Sequence, residues 1–135
     1  MAWTFRINPS DSAPIWRQIE EGVRYLVAVG ALVPGSPVPS VRELSKGLQV
    51  NPATVVRAYQ RLTDTGVLTV RRGEGTFVAL TLPPVLKGEQ QRGLAEAARR
   101  YATAAVTLGV EREDAVNSLR AEWDDVASGG QGEDE

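Results

Sequence analysis

The sequence has no cysteine and no histidine. The first absence excludes disulfides, and the two together exclude the usual zinc sites, which draw on thiolate and imidazole ligands. Hydrolase chemistry that needs a histidine base is excluded as well. Aromatic residues are few, with 3 Trp, 3 Tyr and 2 Phe in 135 residues. No apolar run reaches the roughly 18 residues that a membrane-spanning helix needs. The opening Met1-Ala2-Trp3-Thr4-Phe5-Arg6 lacks the apolar stretch of a secretory signal. These absences lead to the expectation of a soluble cytoplasmic protein of one domain plus a short appendage, with no membrane partner and no cofactor implied.

Charge is present but unevenly placed. The net charge of −2 argues, taken whole, against a nucleic-acid partner. Residues 1–82, however, hold nine Lys/Arg against six Asp/Glu, a net of +3. Residues 83–135 hold six against eleven, a net of −5. Salt screens charge over about 8 Å, so a phosphate senses the local balance rather than the total.

Along the chain, Trp3 to Ile7 alternates apolar and polar residues and predicts a short strand. A first helix opens near Pro14, carries Ile15, Ile19, Val23 and Leu26 as a buried stripe, and closes at Gly30. Ser40 stands three residues before Glu43, the pattern of a capping box, and predicts a helix over about 41–48. Asn51 and Pro52 then predict the cap and first position of a third helix, running to about Thr65 and ended by Gly66. Two short helices separated by so tight a turn form a helix-turn-helix pattern, which occurs both with and without DNA. Val67–Arg71 and Thr76–Leu80 read as strands around the turn Arg72-Gly73-Glu74-Gly75. That hairpin converts the pattern to a winged helix. After Pro83-Pro84, an alanine-rich helix is expected over 86–108, broken by Gly109 and followed by another over about 112–126. Ser128 to Glu135 is Gly- and acid-rich and reads as a flexible tail. The expected fold class is α+β: a winged helix-turn-helix over 1–82, then a two-helix segment over 83–127.

On a helical wheel of the third helix, Val55, Val56, Ala58, Tyr59 and Leu62 share a broad side that must be buried. Ala53, Thr54, Arg57, Gln60, Arg61 and Asp64 share the other. A polar face of this kind is either a solvated surface or a groove-reading one. Its position between a capped short helix and a basic hairpin favours the second. An α-helix fits the major groove, where Arg57 or Arg61 can bond two acceptors of one guanine. Thr54 can reach a phosphate or touch a thymine methyl, and Ala53 leaves room for close approach. Arg42, at the start of the second helix, lies where a DNA backbone would pass. Arg71, Arg72 and Gly73 form a wing tip narrow and basic enough to meet phosphates or a minor groove. Gly73-Glu74-Gly75 is incomplete as a nucleotide fingerprint and leads into a strand, not a helix. The adjacent carboxylates Glu20-Glu21 and Asp124-Asp125 read as solvated helix surface, with no base or nucleophile beside them, so no enzyme is expected. In the last two helices, Leu94, Tyr101 and Leu108 lie on or near one side of the first, and Val116, Leu119, Trp123 and Val126 of the second recur at the spacing of helices that pack together. Leu94, Tyr101, Leu108, Val116, Leu119 and Trp123 are the expected dimerisation face. Winged helices also dock proteins, and that reading stays open beside DNA binding.

These residues resemble the GntR family of bacterial regulators. The resemblance runs through Gly30-Ala31-Leu32-Val33-Pro34-Gly35 and Val38-Pro39-Ser40-Val41-Arg42-Glu43-Leu44. It continues through Asn51-Pro52-Ala53-Thr54-Val55-Val56-Arg57-Ala58-Tyr59, Gly66-Val67-Leu68 and Gly73-Glu74-Gly75-Thr76-Phe77-Val78, covering about residues 12–80. The third of these stretches, with a short C-terminal part, looks like the YtrA subfamily. The resemblance implies a homodimeric regulator on a pseudo-palindromic operator of double-stranded DNA. It implies base and phosphate contacts from Arg42, Asn51, Ala53, Thr54, Arg57, Arg72 and Gly73, and operons that often encode ABC transporters. Val38 stands where the family usually has Leu, and Pro52 where other branches often have Arg. The C-terminal segment is shorter than the ligand-binding domains of most GntR branches, so the resemblance leaves a small-molecule effector unknown.

Overall fold

The computed structural model of the chain describes residues 6–84 and 87–129, Lys87 by its backbone alone. The chain divides into two units, Met1–Pro83 and Pro84–Glu135. The first holds helices α1 (Ile15–Ala28), α2 (Val41–Leu48) and α3 (Pro52–Asp64), then strands β1 (Leu68–Arg71) and β2 (Gly75–Val78). The second holds helices α4 (Lys87–Thr107) and α5 (Arg112–Ala127). The fold is therefore α+β, a winged helix-turn-helix followed by two helices.

Local chemistry sets the helix ends. Pro14 stands just outside α1 as its N-cap, and Gly30 takes up the left-handed conformation beyond the other end, at φ +78. The capping box of α2 is complete. Glu43 N–H donates to Ser40 Oγ at 3.1 Å, and Ser40 N–H donates to Glu43 Oε1 at 3.2 Å. The turn into α3 passes through Gln49, a non-glycine residue at φ 57. Asn51 Oδ1 then accepts the Ala53 N–H at 2.9 Å, with Pro52 at the first position. Gly66, at φ +83, ends α3, and Val67 N–H donates to Leu62 O at 2.9 Å. That bond is one of the Schellman pair, and the two residues it joins are both buried, so the turn also launches β1 from the core.

The core of the first unit draws Ile19, Val23 and Leu26 from α1, Leu44 from α2, and Val55, Ala58, Tyr59 and Leu62 from α3. Val67, Leu68 and Val78 add the wing root. Ile15, expected in the buried stripe of α1, is only partly buried at its edge. Val56 departs from expectation and is 50% exposed. The buried stripe of α3 is the narrow i, i+3, i+4, i+7 series beginning at Val55, and Val56 falls on its shoulder.

Strands β1 and β2 pair antiparallel, with Leu68 opposite Val78 and Arg71 opposite Gly75. Residues 35–38 lie along the outer edge of β2. Gly35 N–H donates to Val78 O at 2.9 Å, Val78 N–H to Ser36 O at 2.8 Å, and Val38 N–H to Thr76 O at 3.0 Å. Of the strand expected at Trp3–Ile7, residues 3–5 lie outside the described residues, and Arg6 and Ile7 are irregular. Leu86 also lies outside them. So does the expected tail from Gly130 onward, while Ser128 and Gly129 form a turn after α5.

In the second unit, Gly109 at φ +74 closes α4 with Val110 N–H donating to Ala105 O at 2.9 Å and Gly109 N–H to Val106 O at 3.0 Å, the full Schellman pair. Tyr101 Oη donates to Ala115 O at 2.7 Å and joins α4 to α5. No described side chain of this unit is buried.

Candidate nucleic-acid interface

The outward side of α3 carries Ala53, Arg57, Gln60, Arg61 and Asp64 exposed, with Thr54 half-buried beside them. Ala53 and Thr54 belong to the first turn and Arg57 to the second, the part of a helix that enters a major groove about 12 Å wide. Gln60 Nε2 donates to Asp64 Oδ1 at 3.1 Å, so those two serve each other.

The two arginines have different surroundings. The Arg57 guanidinium lies over the Trp16 ring, 4.3 Å from its centroid. Arg61 lies 4.8 Å from the same centroid, but its Nε also donates to Glu20 Oε2 at 2.8 Å. Glu20 is buried and its other oxygen accepts from Arg24 at 3.3 Å. Arg24 in turn donates to Thr65 Oγ1 at 2.9 Å. The surface reading of Glu20 is thus corrected, while Glu21 is exposed and pairs with Arg17 at 3.4 Å. Neither Trp16 nor Glu20 stands out in the sequence as a site residue. The available signal was their i, i+4 spacing beside the Ile15–Ile19–Val23 stripe, with Arg24 a further turn on.

Arg42 is exposed in the first turn of α2. Asn51 uses its side-chain oxygen for the α3 cap. In the wing, Arg71 packs its guanidinium 4.1 Å from the Phe77 ring centroid. Arg72 and Gly73 are exposed at the tip. Glu74 N–H donates to Arg71 O at 2.9 Å, and Gly73 has φ +79, the third-position glycine of a type II turn. In the second unit the expected dimerisation residues are all exposed, from Val116 at 39% to Leu108 at 77%. Among the described residues, no His/Cys/Asp/Glu group could hold a metal and no helix is long and apolar enough to cross a membrane.

The model of the gntR family of bacterial regulatory proteins matches residues 16–78, which run from Trp16 in α1 to the end of β2. The HTH-type transcriptional repressor YtrA of Bacillus subtilis (strain 168) is 33% identical over 108 residues, 80% of this chain and 83% of that protein. The chain belongs to the GntR family. A crystal structure described as a transcriptional antiterminator from Listeria monocytogenes EGD-e superposes with a TM-score of 0.70 at 30% identity, covering 94% of each chain. The DNA-binding domain of AraR in complex with operator ORX1 superposes with a TM-score of 0.50 at 25% identity, over 56% of this chain and all of that one. As a GntR-family protein, the chain is a DNA-binding transcriptional regulator and not an enzyme.

Proposed function

We propose that the protein is a homodimeric, sequence-specific repressor of a pseudo-palindromic operator. The observation that carries this reading is the outward face of α3, where Ala53, Thr54 and Arg57 stand exposed or half-exposed on a helix capped at Asn51. Arg57 reads a base, with Ala53 and Thr54 making close contacts beside it. Arg42, Asn51, Arg71, Arg72 and Gly73 meet the backbone and the adjacent groove. Arg61 is set apart from this group because its Nε is held by Glu20. Repression follows the name of the YtrA relative. The subfamily resemblance points to an operon encoding an ABC transporter, and the protein acts in the cytoplasm.

Helices α4 and α5 form the dimer contact, with a second copy of this chain as the occupant. Leu94 is 73% exposed and Trp123 is 64% exposed. A pair of helices with no buried side chain among its described residues does not stand in water by propensity alone, and needs its apolar face covered. Leu94, Tyr101, Leu108, Val116, Leu119 and Trp123 supply that face. Two recognition helices then meet half-sites about one turn of DNA apart.

Selection from a randomised duplex pool tests the reading. The enriched sequence is expected to be a pseudo-palindrome with half-sites about 10 base pairs apart, or a multiple of that. Arg57→Ala then weakens binding to that duplex by about 1–3 kcal/mol. A pool from which nothing is enriched overturns the proposal and leaves a winged helix that docks a protein.

A further inference from the structure

Arg57 and Arg61 sit one turn apart on the same helix and share the Trp16 ring of α1, yet only Arg61 meets a carboxylate there. Glu20 is a buried carboxylate, and a buried charge persists only when it is paired and hydrogen-bonded. It is paired twice, with Arg24 at 3.3 Å and with Arg61 at 2.8 Å. Arg61 is therefore held against α1 through its Nε, and the carboxylate it shares with Arg24 offsets part of its charge. Arg57 has no carboxylate among its described contacts. It has a ring, the Trp16 indole, whose face attracts a guanidinium and whose centroid lies 4.3 Å from the Arg57 Cζ. Stacking engages the flat side of the guanidinium and leaves its N–H fork in the plane for other acceptors. The single indole touches both arginines, and it lies one turn before Glu20 on α1, so ring and carboxylate act on α3 together.

We infer that Trp16 and Glu20 are positioning residues that set sequence specificity: the indole presents Arg57 to base edges, and the carboxylate withholds Arg61 from phosphates. This rests on the reading of α3 as the base-reading helix. Its physical effect has two parts. A guanidinium oriented before binding loses less freedom when it forms a bidentate contact. A cation withheld from the backbone lowers the sequence-independent part of binding, which grows with every phosphate neutralised. Both raise the ratio of specific to non-specific affinity.

The test uses the full chain, a duplex enriched by the wild type from a random pool, and a scrambled duplex of equal length and composition. Fluorescence anisotropy over a salt series gives both affinities and their salt slopes, and circular dichroism confirms folding. Trp16→Leu is expected to lower the ratio of the two affinities about tenfold. Trp16→Phe restores most of it, because a ring remains. Glu20→Gln is expected to tighten binding to the scrambled duplex and steepen its salt slope by about one unit, as Arg61 is released. Arg61→Ala leaves the wild-type slope unchanged, and it serves as the deciding variant if Glu20→Gln does not fold. An Arg61→Ala slope shallower by about one unit shows that Arg61 already meets phosphate, and overturns the inference. An enriched duplex on which Trp16→Leu keeps the wild-type ratio overturns the positioning role alone. A pool with no enriched sequence overturns base reading and the inference with it.

Discussion

Gln49 holds the left-handed conformation that glycine adopts without strain. An L-residue there costs about 1–2 kcal/mol relative to its ordinary conformations. Glycine removes that cost but adds about 0.5–1 kcal/mol of chain entropy. Gln49→Gly is therefore expected to stabilise the protein by up to about 1.5 kcal/mol, read as a higher urea midpoint at unchanged slope. A lower midpoint would mean that the exposed Gln49 side chain contributes more than its backbone loses. At this scale the sequence is a partial guide. Arg57 and Arg61 look alike in it, since both are arginines on one helix face. They share the Trp16 ring and are distinguished by Glu20, which bonds Arg61 from 41 residues earlier in the chain, and no local pattern joins those positions. Val56 was misplaced because a wheel shows the width of an apolar side and not how much of it a neighbour covers.

The helices and the hairpin were readily legible, unlike the strand expected at Trp3–Ile7, whose described residues are irregular. The helix ends are written in short-range chemistry: the Ser40–Glu43 box, the Asn51-Pro52 start, and the glycines at 30, 66 and 109. Contacts between elements were not. Tyr59, expected only as a buried apolar position, donates its hydroxyl proton to Pro39 O at 2.7 Å and ties α3 to the segment leading into α2. Burial pushes its phenol well above the ordinary value, and the Glu43 charge adds to the rise. For an acid whose folded value is raised, the extra stability is present in full below its unfolded value near 10, and is lost as pH climbs toward the folded one. Tyr59→Phe should therefore cost about 1 kcal/mol at neutral pH. The variant should also lose less stability than the wild type between about pH 10 and pH 11. Urea denaturation at both pH values checks this, and parallel losses in the two proteins would rule out the buried phenol as the cause.

Across the whole molecule, charge separates along the chain. The excess of positive charge lies within residues 1–82 and the excess of negative charge within 83–135, so an acidic protein carries a basic reading head. The composition shift at Pro83-Pro84 made this division legible. What covers the apolar side of α4 and α5 lies outside any single chain's sequence pattern. The double substitution Leu119→Glu with Trp123→Glu places two carboxylates on that side. On the proposed dimer, sedimentation is expected to report two copies for the wild type and a single copy for the double variant. Affinity for the selected duplex should fall steeply, because the two half-sites are no longer held by one particle. A double variant that still sediments as a dimer would exclude α5 from the contact.

The strand-like run of residues 35–38 along β2 governs how the wing behaves in time. The amides of Val38 and Val78 reach solvent only when the wing root separates, and Val78 is completely buried. Their hydrogen–deuterium exchange should slow to the rate set by global unfolding, while Arg72 and Gly73 at the tip exchange within the dead time. A wing fastened in this way keeps its pose between encounters, so a passing duplex meets a shape already made.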